Sequence, residues 1–194
     1  LRQWWLMRLV ATDAPLHARL TLMWHDHFAV SNVKVMSAPL MQRHLALLEQ
    51  HALGDFGALC RSIARDPAMI AWLDRNRNVN GRANENFARE LLELFMLGLG
   101  AYTERDVREA ARAFTGWHQR SGRFHFARLL HDDGEKSVLG RSGRLDGDDV
   151  IAAALASPAC GRFLGGRLAR LLVHPEPGEA LVDAIAARLR ETDY

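Results

Sequence analysis

Residues 84–117 read NENFARELLELFMLGLGAYTERDVREAARAFTGW, two amphipathic helical patterns joined by a Gly-rich corner. No other stretch constrains the fold as tightly. At ~100° per residue, with Asn86 as origin, Phe87, Ala88, Leu91, Leu92, Leu94, Phe95 and Gly98 fill one arc of roughly 160°. Glu85, Asn86, Arg89, Glu90 and Glu93 occupy the other side. A helix with such a face must bury it against neighbours. Asn84 suits the N-cap, and Gly98 and Gly100 suit the turn that ends the helix. Thr103 then caps a second helix, with Asp106 in the reciprocal position of a capping box. Its apolar stripe is Val107, Ala110, Ala111, Phe114 and Trp117.

Helical periodicity runs through most of the rest. The segments 3–11, 14–31, 38–53, 55–66 and 66–74 read as helices, with Pro15 and Pro67 in first turns and Asp55 and Asp66 as caps. Beyond Trp117 the pattern loosens. Phe124 and Phe126 alternate, and Ser137–Leu139 offers a second candidate strand, which predicts a small two-stranded ribbon near 123–140. Helices resume over 146–158, 159–174 and 177–194, where Gly165 and Gly166 allow close packing. The expectation is an all-α, irregular multi-helix fold of eight or nine helices carrying that ribbon. With 194 residues and 48% apolar content, the chain suits a single domain over 1–194.

Charge narrows the function classes. A net charge of +2 and the absence of a clustered basic-aromatic footprint argue against nucleic acid. No apolar run approaches the ~20 residues of a membrane span. Cys60 and Cys160 have no metal-ligand spacing and read as buried free thiols, a long-range disulfide being the alternative. LRQWWLMRLV lacks the layout of a signal peptide and does not begin as a start, so the chain reads as cut from a longer protein.

Three polar constellations could carry chemistry. The first is the stripe Asn86, Glu90 and Glu93, beside a ladder Glu85–Arg89–Glu93 that is equally a solvated ion-pair face. The second is WHDHF at 24–28. His25 and His27 are two apart and point to different sides of a helix, so both cannot ligate one ion from one turn. The third is HDDGEK at 131–136, where His131, Asp132 and Lys136 either close a hairpin turn around Gly134 or offer a base, a carboxylate and a cation to one pocket. The loop DRNRNVNGRANE at 74–85 copies part of a calcium-loop spacing through Asp74, Asn78 and Glu85, but Val79 stands where glycine is needed. A turn-forming, Asn-rich loop is the other reading.

The run at 84–117, together with WHDHFAVS at 24–31, DPAMIAWLD at 66–74 and HDDGEKSVLG at 131–140, resembles the bacterial family known as domain of unknown function 1800. The pieces come in the family's order and cover most of the chain. The resemblance implies a mostly helical fold, a longer parent protein that is often exported, and a gene neighbour of the sulfatase-like kind. It assigns no catalytic residue. Two functions follow as expectations. One is an acid/base or metal-assisted hydrolytic site, using a divalent ion if metal is involved, drawn from His25, His27, Glu90, Glu93, His131, Asp132 and Lys136. It requires WHDHF, the polar stripe and HDDGEK to converge. The other is a non-catalytic helical scaffold that docks the sulfatase-like partner through an exposed apolar patch, to which Trp4 and Trp5 could belong.

Overall fold

The computed structural model describes residues 2–194, apart from the side chains of Arg2 and Trp4. Of the two N-terminal tryptophans, Trp4 therefore lies outside the described side chains, and Trp5 is half-buried with its ring 6.3 Å from that of His25.

Eleven α-helices are present among the described residues. The first six are α1 (Arg2–Val10), α2 (Pro15–His27), α3 (Asn32–Val35), α4 (Ala38–Gln50), α5 (Phe56–Arg65) and α6 (Pro67–Trp72). Then come α7 (Asn86–Glu90), α8 (Glu104–Ala113), α9 (Gly147–Ala156), α10 (Pro158–Leu172) and α11 (Glu179–Glu191). The count exceeds eight or nine, and the helix not read from the sequence is the short α3, which Ser31 caps by accepting from the Val33 amide. Asp66 closes α5 and opens α6, accepting from the Met69 amide at 3.0 Å. Ser157 does the same between α9 and α10. The Thr103–Asp106 capping box is complete in both directions, and Asp146–Asp149 forms a second one.

The buried side chains form a continuous cluster. Leu59, Cys60, Ile63 and Ala64 of α5 share it with Phe87, Leu91 and Met96, with Val107 of α8, its cap Phe114, and Val150 and Ile151 of α9. Both cysteines are free and buried. Burial pushes each thiol up, Cys160 to about 12, so neither is a ready nucleophile. Helices α10 and α11 pack closely. A Cβ added at Gly161 or Gly165 would stand 3.1 Å from the carbonyls of Ala186 and Val182 respectively. Gly166, by contrast, faces only the Arg170 side chain. No described helix is long and apolar enough to cross a membrane.

The β structure differs from the single ribbon read in the sequence. Trp117–Arg120 (β1) pairs with Arg123–Phe126 (β2), and Lys136–Val138 (β3) pairs with Arg141–Gly143 (β4). Each segment is a hairpin arm with its own near partner. Ser121 and Gly122 have φ of 51° and 68°, Leu139 and Gly140 of 50° and 81°. Two consecutive positive φ values make the two-residue turn whose twist suits a tight hairpin.

The helix of the 84–98 run is also altered. After α7 it continues as a π-helix over Leu91–Met96, with the Leu97 amide reaching back to the Leu92 carbonyl at 2.9 Å. A π-turn holds more than four residues, so each one advances by roughly 80–85° instead of ~100°. Leu94 then falls beside Glu90 and is 49% exposed, while Met96 rotates inward and is fully buried.

A guanidinium sits in the core without a carboxylate partner among the described residues. The Arg75 guanidinium lies 4.1 Å from the Phe87 ring centre and 5.2 Å from that of Phe114, and it donates to the Ala64 carbonyl. Its Nε and Nη2 have no hydrogen-bond partner among the described residues. Burial without a carboxylate pulls its pKa down to about 9.

Candidate functional site

The Asn-rich loop positions the 86–96 helix. Asn78 is buried, donates its amide to the Ala111 carbonyl at 2.9 Å and accepts from the Asn84 amide at 2.9 Å. Asn84 in turn accepts from the Asn86 amide at 3.0 Å, which starts the helix. The loop thus clamps the helix start to α8. The oxygens that copied a calcium loop are held by protein partners. Asp74 pairs with Lys34 at 2.7 Å, Asn78 is engaged at both ends of its amide, and Glu85 pairs with Arg89 at 3.0 Å.

Along the polar side, Arg89 is a fork. It reaches both oxygens of Glu104 at 2.7 and 2.8 Å as well as Glu85, which leaves Glu93 outside the ladder. Arg89 holds the Glu104 carboxyl below its ordinary range. Glu93 instead accepts from the Tyr102 hydroxyl at 2.5 Å. Burial and the Glu93 charge push the Tyr102 phenol up to about 12, so it stays a donor. Glu90 is half-buried and makes no hydrogen bond or ion pair among the described residues. Its carboxyl is raised, first by burial and then by Glu93, with Arg89 opposing. Two carboxyls on one helix therefore sit in different settings, one desolvated and unpaired, one tied to a phenol.

The other predicted residues take separate places. His27 is buried among Trp24, Phe28, Phe56 and Phe95, and its Nε2 lies 2.9 Å from the Phe95 carbonyl. Nε2 faces a pure acceptor and must carry the hydrogen. Burial and then Arg167 pull this imidazole down to about 3, so it is neutral. His25 is half-buried and also lowered, by burial and then by the charge of His44, with Asp26 opposing.

HDDGEK docks on α8. Arg112 grips Asp132 through Nε at 2.7 Å and Nη2 at 3.3 Å, and Glu109 at 2.8 Å. Nδ1 of the buried His131 lies 2.9 Å from the Thr115 carbonyl. Lys136 donates to the carbonyls of Asp132 and Gly134, and burial lowers its pKa. His131, Asp132 and Lys136 are thus brought together, around the far half of α8. No hydrogen bond or ion pair among the described residues joins them to Glu90 or Glu93. His27 reaches the same helix from its buried side, at Phe95.

Sequence reasoning missed a buried pair. His44 of α4 sets Nδ1 2.8 Å from Asp66 Oδ2, and both side chains are buried. They are 22 residues apart. Asp66 reads as a cap and no more, and the only signal was a histidine on the apolar face of α4. A smaller pair, Ser62 Oγ to His51 Nε2 at 3.1 Å, lies near the end of α4. Among the described residues, no group of three His, Cys, Asp or Glu side chains is placed to hold one metal ion.

A family model described as "Protein of unknown function (DUF1800)" matches residues 1–194, the whole chain. No curated protein matches the chain, and no solved structure does.

Proposed function

We propose, for a chain that belongs to the DUF1800 family of proteins of unknown function, that the exposed side of the 86–96 helix carries an acid–base site for hydrolysis. The observation that carries this reading is the contrast between Glu90 and Glu93. Glu90 is desolvated, unpaired and raised, which favours its protonated form. Glu93 is an acceptor for the Tyr102 hydroxyl. Two carboxyls whose surroundings differ in this way divide into an acid and a base. Glu90 protonates the departing oxygen, and Glu93 takes a proton from the attacking water. Arg89, tied to Glu85 and Glu104, limits how far the local charge can rise. A π-helical turn at the same place fits, since such turns recur at functional sites. His131, Asp132 and Lys136 act at a distance in this reading, by holding the 131–136 loop on α8. The setting is the exported bacterial protein that the resemblance implies.

The test is a panel of chromogenic esters, phosphate esters and glycosides. Hydrolysis of one class, lowered about 10²-fold or more by both Glu90→Gln and Glu93→Gln, supports the site. Hydrolysis that survives both substitutions refutes it.

A second reading rests on a different observation. Leu6, Met7 and Val10 of α1 are exposed, and so are Val33 of α3 and its cap Met36. Such apolar surface suits a partner-binding module, with the sulfatase-like neighbour as partner. Met7→Lys with Val33→Lys is expected to abolish binding to that purified partner. Unchanged binding would exclude this surface.

A further inference from the structure

A cavity of about 560 Å³ opens where three parts of the chain meet. Tyr102 and Asp106 line it from the Gly-rich corner and α8, Arg141 from the β3–β4 hairpin, and Ser157 from the joint between α9 and α10. Gly100 and Gly140 also line it, at φ of 84° and 81°, and a Cβ on either would meet nothing within 4 Å. The hairpin is fixed to α8 by the Leu139 amide, which donates to Asp106 Oδ1 at 2.7 Å. That bond sets the strand that begins at Arg141 beside the corner that carries Tyr102.

The polar side chains of the cavity divide into spent and unspent. Asp106 already accepts three hydrogen bonds, from the Leu139 amide and from the amide and hydroxyl of Thr103. Tyr102 gives its hydrogen to Glu93 at 2.5 Å, and Thr103 gives its own to Asp106 at 2.6 Å. Ser157 accepts from the Ala159 amide at 3.3 Å, and its hydroxyl hydrogen goes to no described residue. The Arg141 guanidinium makes no hydrogen bond or ion pair among the described residues. The unspent side-chain groups are therefore donors, and one of them is charged. An acceptor-rich anion satisfies both. A guanidinium presents a planar fork that matches two oxygens of a carboxylate, sulfate or phosphate.

The cavity also touches the stripe, because its Tyr102 wall is bonded to Glu93. The geometry points to this cavity as the subsite for an oxyanion on the substrate, with Arg141 as the residue that determines specificity for it. The substrate class is then an ester or glycoside that carries a carboxylate, sulfate or phosphate beside the scissile bond. The anion rests against Arg141 and the bond lies toward Glu93. This inference rests on the Glu90–Glu93 reading for its chemistry, but its binding step needs neither carboxyl.

Binding is tested first, by titrating inorganic phosphate, and separately acetate, into the full chain while following the amide and arginine Nε signals by ¹H–¹⁵N NMR. Saturable shifts at Arg141 Nε and at the Gly100 and Tyr102 amides are expected, and the tighter of the two ions indicates which oxyanion is taken. Arg141→Gln should weaken binding at least about tenfold, while Arg120→Gln on β1 leaves it unchanged. No saturable binding, or equal loss in the two variants, would overturn the subsite and leave the Glu90–Glu93 reading standing. Hydrolysis is tested second. Any neutral chromogenic substrate that the panel shows to be cleaved is compared with its carboxylated or phosphorylated counterpart. The anionic one is expected to be favoured at least about tenfold in kcat/KM, and Arg141→Gln to remove that preference. A preference for the neutral substrate would overturn the inference. Should the panel show no hydrolysis at all, the Glu90–Glu93 reading falls and the phosphate and acetate titrations alone decide the subsite.

Discussion

The Nε2 of His27 lies 2.9 Å from the carbonyl oxygen of Phe95, and this bond ties α2 to the last turn of the π-helix. Carbonyls there lack the amide donors that a continuing helix would supply. The bond needs a hydrogen on Nε2, which the neutral Nε2–H tautomer donates, and burial holds the ring neutral down to about pH 3. The unfolded chain binds a proton at about 6.5, so between these values it holds more protons than the folded chain. Stability is therefore complete above about pH 6.5 and falls as pH drops toward 3. The expected loss from His27 between pH 7 and pH 5 is about 2 kcal/mol, read by urea unfolding at both values. His27→Gln should remove most of that slope, and an unaltered slope would count against a neutral buried His27.

Arg75 sets desolvation against stacking. A buried charge costs several kcal/mol, and cation–π contacts with two close rings return about as much. The side chain should therefore matter as packing more than as charge. Arg75→Ala is expected to cost about 3–5 kcal/mol through the cavity it leaves, and Arg75→Met about 1 kcal/mol or less. Equal losses in the two variants, measured by chemical denaturation, would show that the charge itself is needed.

Asp132 holds the 131–136 loop through the Arg112 fork and accepts from the Gly134 amide at 2.9 Å. Asp132→Asn keeps the turn and loses the charge, so about 1 kcal/mol is expected, against about 2 kcal/mol for Asp132→Ala. Neither should move the titration of Glu90. A shift there would mean that the loop and the stripe are coupled.

Much of the fold was legible. Asp55, Asp66, Thr103 and Asp146 mark helix starts because a cap is a local device, fixed by residues within one turn. The stripe Val107, Ala110, Ala111, Phe114 is buried as its spacing implies. What escaped was set by geometry beyond one turn. Leu94 belongs to the apolar arc of an α-helix and leaves it only because the turn widens, which no residue in LLELFM announces. Phe124 pairs back to Gln119 instead of forward to the 137–139 segment, because Ser121 and Gly122 make the shorter turn. Asn78 reads as one more loop amide, yet three backbone groups meet its side chain or carbonyl. The Glu90–Glu93 stripe was visible as a pattern, but Tyr102 as the partner of Glu93 was not. His44 and Asp66 were invisible as a pair, since nothing local relates residues on two helices.

The direct measurement of the stripe is the carboxyl titration of Glu90, followed by ¹³C NMR in the wild type and in Glu93→Gln. Glu90 is expected to titrate above the other glutamates, and Glu93→Gln should lower its midpoint part of the way, because burial is the larger cause and the Glu93 charge the second. A Glu90 that titrates in the ordinary glutamate range, unmoved by Glu93→Gln, would contradict the division of this helix into an acid and a base.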